Sequence, residues 1–207
     1  MAVSLRRARP GAPPNAPVAF HAPLFQELVT GLDETERHVV LDLGSASTPM
    51  LALLGRSRTR VEVADLAHFG GIDRLNTAEP GAALASAAES LLPIPLPDNA
   101  FDLVFCWDLP NYLTLSALSA LMNAIGHRAR PGALAHALIF YSERDMCEHP
   151  GRFVPTADGE LINYNPRHAS IAAPRYSPED LGKSMGRFVL DRARLLSTGM
   201  QEFLFRL

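Results

Sequence analysis

The feature that most constrains this chain is a short apolar run that ends in an acid and a glycine, His38-Val39-Val40-Leu41-Asp42-Leu43-Gly44. A nearly continuous apolar run of this length is typical of a strand buried on both faces of a parallel sheet. In open parallel sheets, ligands bind beyond the carboxyl ends of the strands. The sequence therefore predicts a binding site just after this strand.

Predicted strands alternate with predicted helices along the rest of the chain, which favours a mainly parallel sheet with right-handed crossovers. A closing antiparallel hairpin, 187–196 and 200–207, is predicted around Ser197-Thr198-Gly199. A further short strand within 81–92 stays open as an alternative to helix. The other predicted strands are Arg60–Leu66, Phe101–Trp107 and Ala133–Tyr141, and the predicted helices are 22–36, Met50–Leu54 capped by Thr48, 81–92, 115–130 and one opened by Ser177-Pro178.

The length of 207 residues suits one domain with a full core. Residues 1–19 are rich in alanine, proline and arginine, and we expect a flexible tail there. Residues 20–207 are then a single domain. Within it, 93–100 is predicted to be a turn and 142–175 to be largely irregular.

Charge and composition exclude several classes of protein. The formal net charge is −3, which offers no basic surface for nucleic acid. No apolar run approaches the roughly 20 residues that cross a bilayer. Two cysteines without CxxC spacing predict neither a disulfide framework nor a metal site. We expect a cytoplasmic protein without a membrane partner.

Two acids stand where a nucleoside-like ligand would need them. Asp42 lies beside Gly44, and Asp65 follows about 20 residues later, the interval at which an acid reaches ribose hydroxyls. Alternatively, Asp42 ties down amides of its own loop and Asp65 is a turn or cap residue. The loop adds hydroxyls from Ser45 and Ser47. Taken alone, it is a weak signal for a cofactor.

Several segments together resemble the class I S-adenosylmethionine-dependent methyltransferases. They are Val39–Gly44, Val61–Leu66, Leu92–Val104 with its proline-rich turn before Phe-Asp-Leu-Val, Arg130–Leu134, and the terminal hairpin. The resemblance runs from about residue 38 to the end of the chain and includes the order of the elements. It implies an α/β, three-layer Rossmann-like methyltransferase fold with a mainly parallel sheet and a C-terminal antiparallel hairpin.

The resemblance also implies a cofactor, S-adenosylmethionine, and a set of residues that bind it. Asp42 and Gly44 would surround the methionine moiety, Asp65 would bind the ribose, and Leu66 would pack against adenine. Glu89, or alternatively Ser90, would replace the acid that contacts adenine in the family, since Ala87 and Ala88 stand at its usual position. The full set of expected cofactor-binding residues is Asp42, Gly44, Ser45, Ala46, Asp65, Leu66, Glu89 and Trp107.

Asp108 and Tyr112 are the expected catalytic residues. Asp108 would act as a general base or orient the nucleophile, and its alternative role is to cap the following helix. Trp107 and Tyr112 would form an aromatic wall beside the sulfonium cation. Packing in the core or at its rim is the alternative for both aromatic residues.

The chain departs from the family pattern in the loop after Gly44. Ala46 and Thr48 stand where the family places its second and third glycines. Two functions therefore stay open: a methyltransferase acting on a small-molecule or protein substrate, and a catalytically inactive relative that serves as a regulatory or scaffolding partner. A protein partner or a second copy of the chain fits the latter. A nicotinamide dinucleotide domain fits less well, because there is no GxGxxG.

Overall fold

Six strands form the central sheet, in the order β10-β11-β5-β4-β2-β3. The computed structural model describes residues 17–93, 100–140, 144–164 and 169–207. The strands β5, β4, β2 and β3 are parallel, β11 is antiparallel to β5, and β10 is antiparallel to β11. The sheet strands are β2 (Arg37–Asp42), β3 (Arg58–Val63), β4 (Phe101–Trp107), β5 (Ala129–Phe140), β10 (Val189–Leu195) and β11 (Met200–Arg206).

Helices cover both faces of this sheet, and two separate apolar clusters fill the space beneath them. The first cluster lies under α3, α4, α5 and α6, and the second lies under α1 and α2. The predicted three-layer α/β fold with its C-terminal hairpin is confirmed. The helices are α1 (Pro23–Thr30), α2 (Thr48–Leu54), α3 (Gly71–Thr77), α4 (Ala82–Leu91), α5 (Leu115–Arg128) and α6 (Pro178–Ser184).

Two small antiparallel sheets are built from the stretch expected to be irregular. In one, β1 (Val18–Phe20) and β7 (Phe153–Pro155) flank β8 (Leu161–Asn163). In the other, β6 (Asp145–Cys147) pairs with β9 (Ser170–Ala172). Val18 and Ala19, the last two residues of the expected flexible tail, belong to β1. Their pairing with β8 orders them. The tail up to residue 16, most of the turn at 93–100 and the predicted end of β5 at Tyr141 lie outside the described residues.

Several element boundaries differ from the predicted ones for local reasons. Helix α1 ends at Thr30, where Gly31 donates its N–H to the carbonyl of Glu27. Ser47, not Thr48, caps α2 through a hydrogen bond from the N–H of Met50. Between β3 and β4, the described residues contain α3 and α4 and no strand, so β3 is an edge of the sheet.

The observed ends of α5 and β3 also differ from the predicted ones. Helix α5 ends before the Pro131-Gly132 pair, since Ala129 already pairs with Phe101 in the sheet. Strand β3 ends at Val63, so that Asp65 follows the strand rather than ending it. Among the described residues, no helix combines the length and apolar character needed to span a bilayer.

A buried carboxylate fixes α1 on the sheet. Both oxygens of Glu202 accept hydrogen bonds from the first turn of α1, from the N–H groups of Leu24 at 2.9 Å and Phe25 at 2.7 Å. His136 on the neighbouring strand lies 2.8 Å from the same carboxylate, and both side chains are fully buried. Burial alone would raise the pKa of Glu202, but the hydrogen bonds from His136 and the two amides hold that pKa below its usual value.

We expect Glu202→Ala to lower the free energy of unfolding by roughly 3 kcal/mol or more, because buried donors lose their acceptor. Urea unfolding measures the loss. Glu27→Ala is the control: it removes an exposed ion pair with Arg192 and should cost about 1 kcal/mol or less. Equal losses in the two variants would contradict this role of Glu202.

Candidate functional site

The candidate site lies where the parallel strands β2, β3 and β4 end. Backbone pairing between β2 and β3 continues past both strands, because Ala64 donates its N–H to the carbonyl of Asp42 and Leu66 donates to Leu43. This pairing holds Asp65 beside the loop that follows β2. Asp42 and Asp65, the two acids singled out in the sequence, therefore both lie at the carboxyl ends of the parallel strands.

Asp65 and Ser45 form the more open half of the site. The Ser45 hydroxyl donates to Oδ1 of Asp65 at 2.9 Å, and the carboxylate is only half-buried. Asp65 has a φ of 41°, in the left-handed region that non-glycine residues seldom adopt. Such strain is held by surrounding structure and clusters at binding sites. A carboxylate in this position can accept two hydrogen bonds from a diol.

Asp42 occupies the closed half of the site and is only 2% exposed. Its Oδ1 accepts hydrogen bonds from the N–H of Gly44 at 2.9 Å and from Nε1 of Trp107 at 2.6 Å. Burial raises the pKa of Asp42 to about 6, although both hydrogen bonds act in the opposite direction. The carboxylate ties its own loop together, as in the alternative interpretation of the sequence.

Gly44 is in close contact with the Trp107 indole. A Cβ at this glycine would lie 2.7 Å from Cδ1 and 3.0 Å from Nε1 of Trp107. Any larger residue would force the indole to move. In this structure, the glycine after β2 is therefore required by a side chain of the protein itself.

Trp107 is the middle ring of an aromatic stack. Its ring centroid lies 5.2 Å from that of Phe105 and 5.5 Å from that of Phe153, with interplanar angles of 19° and 10°. The side chain is 4% exposed, and its backbone φ of 52° is left-handed. Sequence analysis left cofactor contact and core packing open for Trp107, and in this structure the indole is packed.

Residues 145–155, here called the covering segment, lie over the end of β4. The Tyr112 hydroxyl donates to the carbonyls of Cys147 and His149, at 3.0 and 2.9 Å. Burial raises the pKa of Tyr112 above its usual range. The N–H of Gly151 donates to Oδ2 of Asp108 at 2.9 Å. The two expected catalytic residues thus hold the covering segment in place.

Asp108 is 1% exposed and precedes a 3₁₀ turn, Leu109–Tyr112. Burial raises its pKa to about 7, with the hydrogen bond from Gly151 acting against that rise. Its side chain does not cap the turn, so the capping alternative is wrong. A carboxyl group with this pKa exchanges its proton near neutral pH.

Of two further expected cofactor-binding residues, one is buried beside this group and the other lies away from it. Leu66, directly after Asp65, is 1% exposed, and its side chain packs in the apolar core. Glu89, on α4, pairs with Arg128 at the end of α5, which leads into the start of β5. The expectation that Glu89 joins Asp42 and Asp65 is wrong, because α4 directs it to the opposite end of the sheet. Ala46 is exposed in the loop before α2.

Phe153 and Gly151 were missed by sequence reasoning. Both fall in the stretch expected to be irregular, more than 40 residues from their partners Trp107 and Asp108. No periodicity or motif marks them. An aromatic residue next to Val-Pro in a polar stretch was the only local signal.

Solved structures share this arrangement of strands and helices. An S-adenosylmethionine-dependent methyltransferase from Mesorhizobium loti superposes with a TM-score of 0.51 and 13% identity, over 88% of this chain and 98% of that one. A SAM-dependent methyltransferase from Aquifex aeolicus gives a TM-score of 0.50 and 14% identity, over 88% of each chain.

Sequence comparisons add no closer relative: no protein-family model and no curated protein matches the chain. The likeness is therefore one of architecture, and it agrees with the sheet order, the hairpin and the covered faces described above. The chain has the fold of the class I S-adenosylmethionine-dependent methyltransferases.

Proposed function

We propose that the chain binds S-adenosylmethionine at the ends of β2, β3 and β4 and transfers a methyl group to a small-molecule or protein substrate. The observation that carries the proposal is the meeting of Asp65 with Ser45 beside the loop after β2. The methyltransferase fold supports it, since its strand ends are where such a cofactor would lie. Fold alone does not fix activity.

The residues fit the two halves of this cofactor differently. The half-exposed carboxylate of Asp65 suits the ribose diol of an adenosyl group as the structure stands. The amino-acid half would lie along the backbone at Gly44, where the Trp107 indole is now packed. It therefore fits only after that side chain moves.

Methyl transfer from a sulfonium needs little from the protein beyond orientation of the nucleophile and removal of its proton. S-adenosylmethionine supplies the activated methyl group when bound. Asp108 is our candidate for the proton acceptor, because a carboxyl group with a pKa near neutrality can both accept and release a proton. Tyr112 is the candidate for positioning the covering segment over a substrate.

A second candidate function is that of a catalytically inactive regulatory or scaffolding partner. The packing of Trp107 against Gly44 favours it, because this contact fills space that the amino-acid half of the cofactor would need. A protein with this function would bind neither S-adenosylmethionine nor S-adenosylhomocysteine. It would be recovered with a protein partner or as a homo-oligomer.

Calorimetric titration with S-adenosylhomocysteine separates the two functions. We expect measurable binding to the wild type and roughly 10- to 100-fold weaker binding to Asp65→Ala, since a hydrogen bond to a charged group contributes about 1.5–3 kcal/mol. Asp73→Ala, an exposed acid on α3, is the matched control and should bind as the wild type does. Unchanged affinity in Asp65→Ala would refute the role of Asp65, and no binding to any variant would favour the inactive partner.

The raised pKa of Asp108 predicts a pH-dependent stability. The folded protein holds this proton up to about pH 7, whereas an unfolded aspartate releases it near its ordinary value of 3.8. The stabilisation is therefore complete below the ordinary value, declines as pH rises and is lost above about pH 7.

We therefore expect the free energy of unfolding to fall more between about pH 5 and pH 8 in the wild type than in Asp108→Asn. The asparagine keeps an acceptor for the N–H of Gly151 but has no proton to release. Urea unfolding at the two pH values measures both differences, and Asp42 contributes equally to both proteins. Equal falls would show that Asp108 does not titrate in this range.

A further inference from the structure

Trp107 occupies space between two groups that any ligand lying along the loop after β2 would need. Its indole packs against Gly44, and the indole N–H donates a hydrogen bond to Oδ1 of Asp42. Both contacts are close: 2.7 Å from Cδ1 to an added Cβ and 2.6 Å for the hydrogen bond. A ligand cannot occupy this face of Gly44 while the indole stays there.

Further contacts join this indole to the covering segment. Phe153 stacks on the outer face of Trp107, and Phe20 on β1 packs edge-on against Phe153 with centroids 6.2 Å apart. Asp108, the residue after the tryptophan, accepts the N–H of Gly151. The position of the indole and the position of residues 151–153 are therefore mechanically coupled.

The conformation of Trp107 is one that the surrounding contacts must maintain. Its φ of 52° lies in the left-handed region, which is sterically unfavourable for a bulky residue. The stack and the hydrogen bond to Asp42 offset that cost. Loss of either one favours a different position for the side chain.

An ammonium group is a suitable replacement for the indole. Both donors make a charge-assisted hydrogen bond to a carboxylate, but the ammonium group also carries a positive charge that attracts it, whereas the indole is neutral. The oxygen freed at Asp42 would accept it, so the buried carboxylate keeps a donor throughout. An amino acid-bearing ligand thus supplies the group that can displace Trp107.

We propose that Trp107 and Phe153 form a gate that controls which ligands enter the site: a nucleoside binds at Asp65 with the gate closed, whereas a nucleoside carrying an amino-acid chain must displace the indole from Gly44 and Asp42. This inference rests on the proposed function, since it assigns a selecting role within the same site. According to this proposal, the covering segment moves when a nucleoside with an amino-acid chain binds and stays in place when a plain nucleoside binds.

Trp107 is the single tryptophan of the chain, so intrinsic fluorescence reports on the gate directly. Saturating S-adenosylhomocysteine is expected to shift the emission of Trp107 to longer wavelength and to increase its quenching by acrylamide. Adenosine has no amino-acid chain and should bind without either change. A bound S-adenosylhomocysteine that leaves Trp107 emission and quenching unchanged overturns the gate and leaves the proposed function standing.

Phe153→Ala removes the outer ring and keeps the reporter. We expect it to bind S-adenosylhomocysteine roughly 3- to 10-fold more tightly, in line with the loss of one aromatic pair, and adenosine with unchanged affinity. Val154→Ala, on the same strand but outside the stack, is the matched control and should change neither affinity. Phe153→Leu serves if the alanine variant fails to fold.

The remaining outcomes separate the gate from the function it rests on. S-adenosylhomocysteine that binds Phe153→Ala but not the wild type supports the gate. Equal affinity of the two proteins for this ligand overturns the gate alone. If S-adenosylhomocysteine binds neither the wild type, Phe153→Ala nor Trp107→Ala, both the gate and the proposed function are wrong.

Discussion

The buried carboxylate of Glu202 decides how one face of the sheet is covered. Two amides of α1 and the ring of His136 all use this one group, so the helix has a single position along β11. Phe25, held by that carboxylate, then packs against both Phe105 and Trp107, with centroids 5.6 and 5.7 Å apart. A polar contact deep in the fold thereby sets the aromatic surroundings of the candidate site.

The site itself combines two halves of opposite character. Asp65 and Ser45 leave acceptors and a hydroxyl near solvent, whereas Asp42 is buried and Gly44 packs against the Trp107 indole. Parallel strand ends bring these halves together, and the backbone pairing beyond β2 and β3 keeps them in register. The carboxylate of Asp42 is buried, and a buried carboxylate without a hydrogen-bond donor is costly. A ligand that removes the Trp107 N–H from Asp42 must therefore supply another donor.

Much of the architecture could be predicted from local patterns. The strand Phe101–Trp107 has the predicted bounds, and Ser177 caps α6 as expected. The first sheet strand, predicted over His38–Leu43, differs by one residue at each end. These features depend on periodicity and capping chemistry, which short segments carry by themselves. The hairpin of β10 and β11 could likewise be predicted from local signals, two apolar runs joined by a short turn with a glycine.

Contacts between distant segments could not be predicted in this way. The indole of Trp107 and Gly44 are 63 positions apart, and nothing local indicates that a tryptophan rather than a ligand uses the glycine. Glu89 was misplaced because its position in space depends on the direction of α4, which amino-acid pattern does not give. Phe153 belongs to β7, a three-residue strand that forms through pairing with β8.

The place of β3 at the edge of the sheet has a consequence for self-association. An unpaired edge strand offers free backbone groups to another chain, and natural proteins discourage such pairing with charged side chains. Strand β3 carries Arg58, Arg60 and Glu62, of which the two arginines are exposed. Another strand docking here would have to desolvate those charges. Among the described residues no strand pairs with the outer side of β3, and its exposed arginines oppose the docking of another strand there.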